Sequence, residues 1–521
     1  WNVNMPACVG DITTTENLHS NAMIPFPPMI VEAEPHGMVL RYRPIALNGG
    51  GPNNTGNFFA DEDIYFGFNG ATCSRTNVAD YGDMHVKLEQ DFGSGNILYS
   101  TMSQGSPYIF FERQGTAEPT FFLFFLKATS LSTSGNSITI DRSCCPAGTN
   151  PHFGPIGLFF PPGTTISNDG ITYIPLSAIP TNGSEYGGNN KQWRIKLPAG
   201  VNYFTTAIMP DASQATLNTY ENYAFNKITD SRFTYSYNEA SATLTNNFNI
   251  TTVNVLGQAN TGSLLALYLH QYLYSPQYPA NATGHSYSSS RGAMQVIQGT
   301  SFSTVMKNYG LLPALGWANT ADSVQLYNLA GNFATGLNYI NFACGNPVYG
   351  SFGVTHEAAR IAEIAHAVGN YAARDKLLDI AKKGIEGWMS SPDGAYLGVY
   401  HYDKNFNWLT PFPSAFDADR LLQDSHFHHG YIIYAAAIVA RFESVLKNST
   451  TWATQWGPMI EAAIRNINDY QRVMAAPADP NALWFPYLRY FDPYAGHSWA
   501  GHDASNQESV SEATGCRRKF R

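Results

Sequence analysis

Two stretches near the C-terminal end of this chain hold residue types that can move protons. The first, DSHFHHG at 424–430, sets Asp424, His426, His428 and His429 at the head of the apolar run 431–440. The second is RYFDPYAGHSWA at 489–500, closely followed by NQESVSEA at 506–513. Glu508 and Glu512 stand four apart, so on a helix they share one face with Cβ atoms roughly 5–6 Å apart. The two like charges repel, and no residue between them neutralises either one. A solvated acidic face at a helix start, where the helix dipole tolerates Glu, is the plain alternative. The stretch follows Gly496-His497-Ser498-Trp499 and several tyrosines, and sugar rings stack on such aromatics. For Asp424 and its histidines three assignments stand side by side. A metal site lacks an i, i+4 histidine pair, a nearby cysteine and an HExxH pattern. A helix cap by Asp424 or Ser425 would leave the histidines solvated. An acid catalyst would have its proton managed by the neighbouring histidines.

Paired carboxylic acids are what cleavage of a glycosidic bond requires. One protonates the departing oxygen and the other faces it across the sugar, roughly 6.5–9.5 Å away in inverting enzymes and roughly 5–5.5 Å in retaining ones. Asp424 and the Glu508/Glu512 pair are candidates for opposite walls of one cleft. Nucleophile elbows, Walker motifs and dinucleotide-binding glycine patterns are absent from the sequence. The triple glycine at 49–51 reads as a turn.

Helices must carry these groups. From about residue 260 the apolar period becomes helical, and HEAARIAEIAHAV at 356–368 places Ala359, Ala362, Ala365 and neighbours on overlapping faces, with Gly369-Asn370 as a stop. Segments 372–389, 429–445 and 458–474 repeat the pattern, and long aromatic loops are expected at 396–416 and 484–502. Helices joined by such loops predict an (α/α) barrel whose connections build a groove. The first 240 residues read instead as short strands, at 121–127, 137–141, 192–197, 201–209 and 232–237, punctuated by Gly, Pro and Asn. The expected organisation is therefore α+β and multidomain: a β-sandwich over 1–240, a mixed linking region over 241–340, and an (α/α) barrel catalytic domain over 341–521.

Composition narrows the partners. Only 13% of the 521 residues are charged while 14% are aromatic, giving a surface polar by hydrogen bonding that suits a neutral, hydroxyl-rich ligand. A net charge of −9 and a pI near 5.9 argue against nucleic acid. No apolar run reaches the roughly 18–20 residues of a membrane-spanning helix. Sequons at Asn53, Asn182, Asn249, Asn281 and Asn448 fit a secreted or cell-wall glycoprotein, and six cysteines fit a disulfide or two with at least one thiol left over. The chain starts at Trp1 without a signal peptide, which predicts a processed or missing N-terminus.

The motifs at 423–431, 489–500 and 506–513 resemble those of glycoside hydrolase family 81, the endo-β-1,3-glucanases of fungi, plants and bacteria. Weaker echoes at 105–108, 267–270 and 401–403 spread the resemblance over most of the chain, loosely before residue 420. The resemblance implies an N-terminal β-sandwich, a small linking domain and an (α/α)6 barrel. It also implies inverting hydrolysis of β-1,3-glucan without metal or other cofactor, by a protein expected to be monomeric. Carried onto matching positions, Asp424 is the proton donor, His428 its neighbour, and Glu508 or Glu512 the base. Trp499, His497, Tyr490, His426, His270 and Asp403 are the substrate-binding candidates. Gln423, Ser425 and His429 stand where the family usually has Asn, His and Tyr, and Gln271 where it has a second His. The match ends at Ala513, and the basic tail 514–521 predicts a barrel cut short. Two other functions fit: a catalytically impaired β-glucan-binding protein, and an (α/α)-barrel glycosidase of different linkage preference.

Overall fold

The computed structural model describes residues 23–42, 64–123, 130–141, 154–178, 192–289, 291–309, 320–337, 347–390, 398–415, 425–469, 482–489 and 491–498. These form two compact units, one up to Asn308 together with Pro493–Ala495, the other from Tyr309 to Asp492 and from Gly496 onward.

The first unit is built on two eight-stranded antiparallel sheets. One runs from Met23–Phe26 through Gly37–Tyr42, Ile64–Phe68 and Pro119–Leu123 to Ile174–Pro175. The other runs from Ser130–Ser134 through Tyr203–Ile208 and Tyr108–Gln114 to Arg75–Tyr81. Aromatic side chains fill the space between them. Phe66 of the first sheet meets Phe111 and Phe204 of the second at ring separations of 4.6 and 5.9 Å. Such contacts give a sandwich most of its burial energy. Helix α1 (Gln214–Glu221), capped by the Ser213 hydroxyl on Thr216 N–H, leads out of it.

Two three-stranded sheets follow: the hairpin Asn226–Asn238/Thr243–Asn254 with Ser301–Lys307, and Leu264–Leu267 with Ala282–Tyr287 and Met294–Gln298. Both belong to the first unit, so the stretch 241–340 is shared between the two units. A short helix, α2 (Leu269–Tyr274), leaves the second of these sheets. Tyr494 completes this part of the core. Its hydroxyl donates to Ala266 O at 2.9 Å, its carbonyl accepts from Gln271 Nε2 at 2.8 Å, and its ring lies among Phe248, Phe302 and Tyr268. Gly105, at φ +73°, makes room: a Cβ there would fall 1.9 Å from the Tyr494 hydroxyl. Cys73 is a buried free thiol, and the other five cysteines lie outside the described residues.

The second unit is helical: α3 (Thr320–Gly336), α4 (Pro347–Ala367), α5 (Tyr371–Ser390), α6 (Ser425–Lys447) and α7 (Thr451–Ile467). Ala358, Ala359, Ala362 and Ala365 are fully buried on α4, as are Ile432, Ile433, Ala435 and Ala436 on α6. Small side chains let two helices approach closely, which is why an alanine-rich period marks a core face here. Helix α4 stops where Gly369 turns to φ +79°, and the Asn370 side chain then caps α5 at Ala373 N–H. Helix α7 corrects one expectation: it starts at Thr451 rather than at Pro458, and the proline lies inside it. The extra turns are held by Trp452, which is buried and donates its indole N–H to Glu386 at 2.7 Å. No described helix is long and apolar enough to cross a membrane.

Candidate active site

The first turn of α6 is polar in sequence and buried in the structure. Ser425, His426, His428 and His429 are each no more than 2% exposed. That overturns a cap with solvated histidines. Charging an imidazole away from water is costly, and His429 shows the effect. His429 is pushed down to about 3 by desolvation, helped by the neighbouring His428 and His426. Neither of its ring nitrogens hydrogen-bonds to a described residue. His356 of α4 is pushed down to about 4, by desolvation and then by Arg360. It packs against Tyr431 and Tyr434 of α6, ring to ring at 5.2 and 4.7 Å. The Tyr434 hydroxyl donates to Glu363 at 2.7 Å and fixes α6 on α4.

The stretch 396–416 is expected to be a loop, yet it holds a β-hairpin, Val399–Asp403 paired with Trp408–Phe412. This hairpin connects the two motif regions. On one side Tyr400 stacks on His429 (5.2 Å, 24°) and on Phe352 (5.9 Å, 28°), with Trp388 edge-on to Phe352 at 4.9 Å. On the other side Arg489 donates to the carbonyls of Phe406 and Asn407 at 3.1 and 2.5 Å, and its guanidinium lies 5.0 Å from the centre of the Trp408 ring. The Tyr402 hydroxyl donates to Trp484 O at 2.7 Å and accepts from Trp484 N–H at 3.1 Å. Helix α7 pins the hairpin from below, as the buried Asn466 amide bonds both the N–H and the carbonyl of Leu409. The sequence signal for this hairpin was present but easily read as loop: aromatic alternation around Asn405-Phe406-Asn407. Asn407 adopts φ +50°, as turns of this kind require.

The histidine turn, the hairpin and the segment at 484–489 are thus one packed assembly within the helical unit. Residues 349–518 match a family described as glycosyl hydrolase family 81 C-terminal domain. A glucan endo-1,3-β-D-glucosidase of Acetivibrio thermocellus is 31% identical over 506 residues, covering 92% of this chain and 57% of that protein. The corresponding protein of Thermobifida fusca is 31% identical over 458 residues, covering 87% and 53%. The solved structure of a point mutant of a family 81 glycoside hydrolase from Clostridium thermocellum superposes with a TM-score of 0.74 at 27% identity. It matches 96% of this chain and 63% of its own. The chain belongs to glycoside hydrolase family 81.

This family 81 chain spans just over half the length of the curated relatives it matches. The family match runs to residue 518, which corrects the motif-based end at Ala513. Among the residues expected at the site, His426 and His428 share the buried turn of α6. Asp403 sits on the hairpin, accepting from Asn405 N–H at 2.7 Å. His497 pairs with Asp492 in a short two-stranded ladder. His270 lies in the first unit, stacked on Tyr268 at 5.6 Å. Asp424, Glu508, Glu512, Trp499 and Tyr490 lie outside the described residues. Gln271, where the family usually has a histidine, is buried and carries the anchor to Tyr494. Among the described residues no group of three or more His, Cys, Asp or Glu is placed to hold a metal ion. Tyr400 and His429 were not singled out as a pair by sequence, because only the fold brings them together.

His429 and His356 give the family 81 chain an acid limb. Both have folded-state values below the ordinary 6.5, so between pH 6.5 and about 3 the unfolded chain takes up protons that the folded chain refuses. Their contribution is complete above pH 6.5 and is lost as pH falls, by up to about 1.4 kcal/mol per pH unit for each group. Thermal midpoints at pH 7 and pH 4.5 should differ, and His429→Tyr should narrow the difference. An unchanged difference in the variant would show that His429 is not the titrating group.

Proposed function

We propose that this chain is a secreted endo-β-1,3-glucanase that inverts configuration at the cleaved bond. What carries the reading is the family 81 match over 349–518 together with the DSHFHHG motif, whose histidines form the buried head of α6. In this reading Asp424 gives its proton to the departing glycosidic oxygen, and His428 lies beside it. Glu508 or Glu512 takes a proton from a water that attacks the anomeric carbon from the opposite face. The second glutamate holds that water or a sugar hydroxyl, and repulsion between the pair keeps one of them partly protonated. Trp499, Tyr490 and His497 line the groove, with His426, His270 and Asp403 as further contacts. The relatives' shared name, glucan endo-1,3-β-D-glucosidase, supports β-1,3-glucan as substrate. The whole protein then carries the family's β-sandwich, small linking domain and (α/α)6 barrel, works as a monomer without metal, and is a glycoprotein.

The test is one incubation. Purified chain is mixed with insoluble β-1,3-glucan, spun, and the supernatant assayed for oligosaccharides while the pellet is assayed for protein, with cellulose and chitin as controls. Soluble β-1,3-linked oligomers of mixed length are expected, and the first product should have the α-anomeric configuration. Protein bound in the pellet without soluble product would replace the enzyme reading with that of a glucan-binding protein. Products released only from another polysaccharide would move the linkage.

A further inference from the structure

Among the five sequons the structure separates one from the others it describes. Asn448 sits between α6 and α7, exposed, in the left-handed region at φ +49°. Its carboxamide makes no hydrogen bond among the described residues. Thr450, two positions on, is exposed and makes no capping hydrogen bond to α7. The neighbouring Ser449 does that work, accepting from Thr451 N–H at 3.3 Å. Both groups that a glycosyl transferase must engage, the amide and the second hydroxyl, are therefore unoccupied by the fold.

The sequon at 281 is the opposite case. The Asn281 side-chain oxygen is buried, and the Thr283 hydroxyl donates to Val296 O at 2.9 Å while accepting from His285 N–H at 3.2 Å. Asn249 is exposed, but it stands in the central strand of a three-stranded sheet, paired with Arg232 and Ser301. A second observation belongs to the Asn448 turn. Directly before it, Val445 and Leu446 are 70% and 40% exposed, an apolar step at the end of an otherwise well-covered helix. A sugar chain rooted three residues away would cover that step.

We infer that Asn448 is an N-glycosylation site and that its first sugar shields Val445 and Leu446. The inference rests on the secretion reading above, since the modification needs a secretory compartment. In the transfer, Asn448 Nδ2 bonds to the anomeric carbon at the reducing end of a lipid-diphosphate-linked oligosaccharide. The bond from that carbon to the diphosphate oxygen breaks, the lipid diphosphate leaves with the electron pair, and the amide nitrogen loses one proton.

The full chain behind a yeast secretion leader tests this whatever the native location, so failure here and failure of the secretion reading remain distinct. Amidase release of glycans in ¹⁸O-water, followed by peptide mapping, reads each site. Labelled aspartate is expected at position 448 and not at 281. Asn448→Gln and Thr450→Ala should each remove one glycan from the secreted protein and raise binding of an apolar dye. Asn448→Asp supplies a charged but sugar-free comparison and should bind dye as the Gln variant does. An unlabelled peptide at 448 in protein glycosylated elsewhere overturns the site. Full occupancy with dye binding unchanged by the variants overturns the shielding role.

Discussion

An Asp424→Asn chain is expected to release reducing ends from β-1,3-glucan about 10²–10⁴-fold more slowly than its parent, the range that a positioned general acid contributes. The exchange removes one function and little else. An amide has nearly the size of a carboxyl group and caps a helix as well as Asp does, so the first turn of α6 should remain intact. It has no proton to give an alkoxide leaving group at neutral pH. Sedimentation with insoluble glucan should therefore match the parent while turnover collapses. A β-1,3-linked oligosaccharide carrying a nitrophenyl leaving group sharpens the result. Nitrophenolate departs without help, so activity on it should survive in Asp424→Asn and fall in whichever of Glu508→Gln and Glu512→Gln removes the base. Parent-like turnover of native glucan by Asp424→Asn would remove Asp424 from the donor role.

The largest effect on stability is expected from Gly105→Ala. A left-handed backbone costs an ordinary residue about 1–2 kcal/mol and a forced overlap in a packed core about 1–3 kcal/mol, so the sum is about 2–5 kcal/mol. The overlap is specific: the new methyl would lie 1.9 Å from the Tyr494 hydroxyl and 2.0 Å from the ring carbon that bears it. Tyr494 cannot yield cheaply, since its hydroxyl and its carbonyl are both hydrogen-bonded to buried groups. Calorimetry should show the transition of the sheet-rich unit moved down by many degrees. The cause is separable from backbone strain by a cycle with Tyr494→Ala, which alone loses a buried ring. If the clash matters, the double variant loses less than the two single losses added together. Additive losses would leave backbone strain as the whole effect.

Local rules carried the helices well. The alanine period of 356–368 runs one residue past the end of α4, the segment 372–389 differs from α5 by one residue at each end, and 429–445 lies inside α6. Strand 137–141 coincides with Ser137–Asp141. Each of these is set by apolar spacing within a few turns of chain. The misses have a different origin. Helix α7 begins before Pro458 because the buried Trp452 finds a partner, Glu386, on α5, and a proline rule has no knowledge of that partner. The 399–412 hairpin looked like an aromatic loop because its stability comes from Arg489, Trp484 and Asn466, all far along the sequence. The site is legible in part for the same reason. Motif spacing nominates His426 and His428, but their burial depends on how α4, α6 and the hairpin pack. Tyr400 carries no signal at all until it is seen stacked on His429.

Tyr494 also bears on how the protein is made. The sheet-rich unit draws on chain up to Asn308 and then on three residues that leave the ribosome almost two hundred positions later. Domains usually fold in the order of synthesis. Here the slot beside Gly105, between Phe248 and Phe302, has to wait unfilled while helices α3 to α7 are translated. For that interval the nascent chain presents an aromatic-lined opening to whatever surrounds it. The unit that is begun first is closed only after all five described long helices of the other have been made.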